Sequence, residues 1–370
     1  MTTLIISFLV SFIFSLLILR YSHLHGHISF DHDKKGVQKF HSFDTPRIGG
    51  LPIFIGIAFS IAIQFFQELS FANIGLILIL SSLPVFILGL LEDVTKKISA
   101  SYRLLAAFIS AFLACYFLNT WLTNIQFMSI DLLLKIAPIS MLFTCFAVAG
   151  LTHSVNLIDG FHGIASMVGI FILSAIVYVA FKVSDVTILM LGISVIGAIL
   201  GFFVLNYPKG FIFLGDSGAY LIGFWIALLS LLLVSRHEEV SNWFPFLLCF
   251  YPIFETLFTV FRRYFIKKTS PGLPDSFHLH QLIYKRVLRW IVVDKNDKNK
   301  KNSMTAPYLW ALSLVSIIPA ILFWKSHQIL KIFAFMFVLW VDHPLRMSRS
   351  VFFRTFCSIL RYRFPAGEKK

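Results

Sequence analysis

The chain has 370 residues, 58% of them hydrophobic and only 14% charged, against roughly 25% charged in soluble globular proteins. Its formal charge is +14, but the apolar excess falls in long uninterrupted runs, which argues against a soluble, basic nucleic-acid-binding domain. Runs of about 20 residues match the hydrocarbon core of a bilayer, and without strict alternation they read as helices rather than barrel strands.

In chain order the predicted spans fall near residues 1–19, 48–66, 73–91, 104–123, 133–152, 163–181, 186–206, 218–235, 243–261, 306–323 and 328–341, the last being the shortest. The fold class expected is therefore an all-α polytopic integral membrane protein with ten or eleven transmembrane helices. The first span has no Lys or Arg before it and Arg20 directly after it, so it reads as an uncleaved helix. Connections at about 20–47, 92–103, 153–162, 207–217 and 262–305 share one side with a basic tail. Apart from Lys135, Lys182, Arg236, Lys325 and Lys331, all of the 32 Lys and Arg residues lie on that side. The positive-inside rule makes it cytoplasmic, with the N-terminus outside and the C-terminus inside.

This organisation gives one transmembrane catalytic domain, residues 1–341, followed by a basic cytoplasmic tail, 342–370. Within the last long loop, HQLIYKRVLRWIVV reads as an interfacial amphipathic helix and DKNDKNKKNS (294–303) as a solvated linker. Cys115, Cys145, Cys249 and Cys357 are isolated in apolar surroundings and form neither a disulfide framework nor a zinc spacing.

Acidic residues number only 18, so their placement is informative. Glu92 and Asp93 are adjacent in GLLEDVTKK, where the third span ends. Asn156 and Asp159 lie three apart in NLIDGFHG and share a face if that segment is helical. Asp216, in FIFLGDSGAY, stands at the start of the eighth span, where it can cap a helix. His278 and His280 follow Asp275 in PDSFHLHQ. Singly, these are ordinary boundary or loop residues, just as His23, His25, His27 and His32 read as a plain surface loop. Four polar clusters on one face point instead to chemistry. Carboxylates with Asn at a membrane surface suit Mg²⁺ shared with a phosphate-bearing substrate, because Mg²⁺ keeps several waters and takes only one or two carboxylates. Such a cation neutralises charge in phosphoryl transfer, assisted by Lys, Arg or His. Gly49, Gly50, Gly160, Gly215 and Gly218 allow close approach to a ligand. From the residues alone the reading stops at metal-assisted chemistry on phosphate.

The stretches KFHSFDTPRIGGLPI, GLLEDVTKKISASYRLL, NLIDGFHGIAS, FIFLGDSGAYLIG and PDSFHLHQLIYKR run in that order between about residues 39 and 286. Together they resemble the polyprenyl-phosphate N-acetylhexosamine-1-phosphate transferases. The resemblance implies transfer of a sugar-1-phosphate from a UDP-N-acetylhexosamine to undecaprenyl phosphate, with release of UMP. It also implies the bacterial inner (cytoplasmic) membrane and the start of a surface glycan such as O-antigen. On that basis Asp216 resembles the Mg²⁺-binding carboxylate, with Mn²⁺ as the substitute cation. Asn156 and Asp159 resemble nucleotide-sugar or metal-site contacts, and Phe213 resembles the aromatic on which uracil stacks. The acidic pair resembles an Asp-Asp motif whose first residue is proposed to deprotonate the lipid phosphate. Here the longer Glu92 departs from it, while Asp93 matches. His278 and His280 match a His-rich loop that handles the diphosphate or sugar, with Gln281 replacing its last His. Thr45 and Arg47 match the first loop, and the resemblance offers Lys39 as a weaker candidate for phosphate contact. The incomplete His run points away from the peptidoglycan branch. The rival class is a transporter or flippase of lipid-linked or phosphorylated substrates, which would carry ionisable groups within its spans. Glu255 is the main such residue here, and no inverted repeat is evident. The sequence is silent on oligomeric state and compatible with a homodimer.

Overall fold

A computed structural model describes residues 2–23, 26, 45–67, 71–266, 281, 284 and 298–346, without the side chains of 265, 266, 298–301 and 340–346. The apolar runs fold as helices, which pair their own backbone groups and so tolerate lipid. They are α1 (Thr2–Arg20), α2 (Gly50–Phe66), α3 (Ala72–Thr95), α4 (Ala100–Leu118), α5 (Met128–Leu134), α6 (Ala137–Ile158) and α7 (Ile164–Lys182). After these come α8 (Val186–Asn206), α9 (Gly215–Arg236), α10 (Trp243–Leu248), α11 (Phe250–Phe261), α12 (Lys298–Leu322) and α13 (His327–Arg346).

Among the described residues, eight helices are long and apolar enough to cross a membrane: α1, α3, α4, α6, α7, α8, α9 and the Asn302–Leu322 part of α12. α2 and the His327–Leu339 part of α13 are apolar but shorter. The remaining expected span, 243–261, is broken at Cys249 into α10 and α11. Pro252 has no N–H to offer the carbonyl four residues earlier, so the helical ladder is interrupted there.

Boundaries also differ from the expected ones. Pro138 lies in the first turn of α6, a position its fixed φ favours. Residues 133 and 134 close the separate short helix α5. Nothing in LTHSVNLI stops α6, which runs on to Ile158, and α3 runs on to Thr95. Glu92, Asp93 and Asn156 therefore stand on the last turns of helices rather than in loops. The helix α13 continues to Arg346, so the expected tail begins helically. The amphipathic segment HQLIYKRVLRWIVV, apart from residues 281 and 284, lies outside the described residues.

The centre of the bundle is α9, in which every residue from Gly215 to Leu233 is buried. It packs against α2, α3, α6 and α7. On one flank α1 lies along α8, and its buried Thr3, Ser7, Ser11 and Ser15 recur every fourth residue. Lipid gives helices no hydrophobic reason to associate, so small residues that admit close backbone contact hold them together. Opposite this stripe stand Gly197 and Gly201, and a Cβ on Gly201 would meet the Phe8 carbonyl and the Phe12 nitrogen. Gly201→Leu is therefore expected to cost about 1–3 kcal/mol through overpacking. The check is thermal unfolding in detergent; an unchanged midpoint would show that this contact does not hold α1.

Candidate active site

A helix begins with backbone N–H groups that have no partner inside the helix. At the start of α9, Leu214 occupies the cap position and has no side-chain oxygen to offer. The acceptor comes instead from α3. Asp93 Oδ1 accepts the Asp216 N–H at 2.7 Å, and Oδ2 accepts the Ser217 N–H at 2.9 Å and the Ser217 hydroxyl at 2.6 Å. The Asp93 side chain is fully enclosed. A carboxylate at this end also complements the helix dipole. Gly89, one turn earlier on α3, lets the two helices meet, because a Cβ there would strike the Ser217 backbone. Gly215 takes the left-handed conformation, φ 74°, and a Cβ there would strike the Arg47 carbonyl and the Asp93 carboxylate.

This anchoring fixes Asp216 at the helix mouth. Its Oδ1 accepts from Arg47 Nη2 at 2.8 Å, and its Oδ2 pairs with Arg103 Nη1 from the first turn of α4. Arg47 Nε also lies 3.5 Å from Asp93 Oδ1. Arg47 is placed by backbone pairing between two loops: Phe213 N–H donates to the Pro46 carbonyl at 2.8 Å, and Gly49 N–H to the Phe213 carbonyl at 2.9 Å. Asp159 follows directly on α6. Burial raises its carboxyl to about 7; Arg47 opposes the rise, while Asp216 and Asp93 add to it. Arg47, Asp93, Asp159 and Asp216 thus share one electrostatic neighbourhood.

The other expected residues distribute around it. Thr45 is buried beside Arg47 in sequence, and Asn156 is half-buried one turn before Asp159. The Phe213 ring lies 5.4 Å from the His162 ring, centroid to centroid. The His162 N–H donates to Asn302 Oδ1 at 3.0 Å, and the Gly163 N–H to Asn206 Oδ1 at 2.8 Å, which ties the turn after α6 to α12 and α8. Glu92 is directed differently from its neighbour: its Oε2 accepts the Ile98 N–H at 2.7 Å and so closes the turn between α3 and α4. Lys39, His278 and His280 lie outside the described residues.

Two members of the site were missed as candidates, Arg103 and Ser217. Arg103 had a legible signal, being a cation just inside an apolar helix, where charge is costly unless paired. Ser217 had none, since a serine beside a glycine is commonplace. Among the described residues, no three of His, Cys, Asp and Glu are grouped so as to hold a metal unaided. A hard cation shared with phosphate needs only one or two carboxylates; Asp216 would supply one by exchanging an arginine partner for the cation, with Asp159 within electrostatic reach.

The sequence pattern of glycosyl transferase family 4 matches residues 75–234. The chain is 31% identical over 253 residues to the probable undecaprenyl-phosphate N-acetylglucosaminyl 1-phosphate transferase of Bacillus subtilis (strain 168), covering 67% of this chain and 68% of that one. It is 27% identical to the undecaprenyl-phosphate alpha-N-acetylglucosaminyl 1-phosphate transferase of Thermotoga maritima, covering 70% and 74%. It is 30% identical to a phospho-N-acetylmuramoyl-pentapeptide-transferase of Streptococcus agalactiae, covering 62% and 70%.

The hydrogen bonds separate the acidic pair. Asp93→Ala strips acceptors from two buried amides and a hydroxyl, each loss costing about 1–3 kcal/mol. Glu92→Ala removes one half-buried bond, worth about 1 kcal/mol. Denaturant unfolding should rank Asp93→Ala well below Glu92→Ala, and equal losses would contradict the capping role. For Asp159 the folded-state value lies above the unfolded one near 3.8. Its contribution is therefore fully present below about pH 4 and lost as pH rises through about 7. In chelator, the melting advantage of Asp159→Asn over the native chain should grow across that window and then level off; a flat difference would refute the burial.

Proposed function

Because the chain belongs to glycosyl transferase family 4, the polyprenyl-phosphate sugar-1-phosphate transferases, we propose that it moves an N-acetylhexosamine-1-phosphate from a UDP-sugar to undecaprenyl phosphate. UMP is the other product, and the lipid-linked sugar starts a surface glycan such as O-antigen. The observation that carries this reading is the Asp93-anchored mouth of α9, where Asp216 pairs with Arg47 and Arg103 within electrostatic reach of Asp159.

In this reading Asp216 and Asp159 hold Mg²⁺, which supplies charge neutralisation at the diphosphate when bound. Arg47 and Arg103 stand beside the same carboxylate and balance phosphate charge. Phe213 takes the uracil ring, and Asn156 and Thr45 line the nucleotide-sugar side. Lys39, His278 and His280 complete the phosphate contacts, as the resemblance implies. An oxygen of the lipid phosphate attacks the phosphorus that bears the sugar. The new P–O bond forms as the bond to the bridging oxygen breaks, and that oxygen leaves with UMP. Both oxygens of Asp93 are already occupied by α9, which favours this direct attack over a covalent intermediate on that residue. Asp93 is accordingly a positioning residue, and Glu92 is the remaining carboxylate of the pair to take a proton. Most of the rate comes from fixed charge and alignment. In this reading the site faces the cytoplasm at the inner membrane, with the N-terminus outside, which the excess of Lys and Arg in the connections on that side supports. Carboxylates gathered at one helix mouth suit a surface reaction better than a transport path through the bilayer.

The purified chain, given undecaprenyl phosphate, Mg²⁺ and a panel of UDP-sugars, should release UMP with a UDP-N-acetylhexosamine. Asp216→Asn should lower kcat at least about a hundredfold. No UMP with any donor, or full turnover in Asp216→Asn, would overturn the assignment.

A further inference from the structure

Asn206 joins two loops of the candidate site and has no part in the mechanism above. It is the last residue of α8 and only 3% exposed. Its Oδ1 accepts the Gly163 N–H at 2.8 Å, and its Nδ2 donates to the Ile212 carbonyl at 2.7 Å. A backbone donor on one side and a backbone acceptor on the other fix which end of the amide faces which loop. The Asn206 carbonyl also accepts the Gly210 N–H at 2.8 Å, so the loop that leads to Phe213 is wound onto the end of α8.

These bonds act close to the functional residues of both loops. Gly163 stands four residues after Asp159, and Ile212 directly precedes Phe213. The two loops are closely fitted to each other. Gly210 has φ 67°, and a Cβ there would strike the His162 ring, which lies 5.4 Å from the Phe213 ring. Gly163 has φ 74°, and a Cβ there would press on Tyr207 and Phe203. The helix α12 grips the same turn. Trp310 Nε1 donates to the Gly163 carbonyl at 3.0 Å, and its ring lies 4.9 Å from that of Tyr207. Phe213 is thus placed through its own backbone by Pro46 and Gly49, and through Ile212 by Asn206. Without the Asn206 amide, a buried N–H and a buried carbonyl lose their partners, and each such loss is costly.

We propose that Asn206 is a positioning residue for the nucleotide end of the donor. By bridging the Gly163 amide and the Ile212 carbonyl, it holds the Asp159 turn and the Phe213 ring at the one separation that suits a uridine nucleotide. It acts through the two backbone groups it holds and does not itself touch substrate. The proposal rests on the transferase reading, in which Phe213 takes the uracil ring. The lipid substrate makes no use of this bridge, so the two substrates should respond differently to its loss.

Initial rates of the full chain in lipid nanodiscs, with each substrate varied in turn, test it alongside calorimetric binding of UMP. Asn206→Asp keeps the size of the side chain and its acceptor for Gly163, but sets an oxygen against the Ile212 carbonyl. It should raise KM for the UDP-sugar and Kd for UMP about tenfold, and leave KM for undecaprenyl phosphate within twofold. A variant that merely loses folded enzyme lowers kcat and leaves KM alone, so the two effects separate. Trp310→Phe keeps a ring against Tyr207 and removes the bond to the Gly163 carbonyl. It should shift the same two constants about fivefold, and it carries the test if Asn206→Asp does not fold. UDP-sugar KM and UMP Kd within twofold of native in the folded variant overturn the proposal. So does a parallel rise in both substrates' KM. If the native chain makes no UMP, the transferase reading has failed on its own, and UMP binding then decides the role of Asn206. Weaker binding in the variant supports that role; undiminished binding, or a native chain that binds no UMP, overturns it.

Discussion

One buried carboxylate organises the functional end of this protein. Asp93 gives both its oxygens to the first turn of α9, at 2.6–2.9 Å. Three consequences follow from that single connection. Two orphan amides of the most buried helix in the bundle are satisfied, α3 and α9 are locked in register, and Asp216 is pinned at the mouth with its side chain turned to Arg47 and Arg103. A flexible carboxylate in this position would have to be ordered on each turnover, whereas a pre-ordered one costs nothing at the moment of reaction.

The rest of the fold supports that end with helices that associate largely through apolar and small residues. Apolar helices with small-residue contacts, such as α1 on α8, need no buried charge to associate. The described ionisable groups of the candidate site therefore collect where α3, α4, α6 and α9 share an end. There, Asp93 and Asp216 pair with Arg47, Asp216 pairs also with Arg103, and Asp159 lies within electrostatic reach of Arg47. Cation balance of this kind suits a site that exchanges a metal and phosphates.

The helices were legible because length and hydropathy alone decide what a bilayer accepts. The break at Cys249 was hidden because Pro252 sits inside an otherwise unbroken apolar run. Asp216, Asp159 and Arg47 could be picked out as charges at span ends, and the structure does gather them. The division of labour between Glu92 and Asp93 could not be read, since adjacent acids look alike until one is seen paired with residues more than 120 positions away. Arg103 was readable in principle, as a lone cation entering an apolar helix. Ser217 was not, because its role depends on how α3 and α9 pack together.

The central claim is that Asp93 acts on catalysis through Asp216 and not independently. A double-mutant cycle on kcat/KM, using Asp93→Ser and Asp216→Glu so that residual turnover stays measurable, tests it most directly. The account predicts strong coupling: once Asp216 is altered, changing Asp93 should add little further loss. Fully additive losses would mean that Asp93 contributes by a separate route, and would contradict the anchoring role on which the description of the site rests.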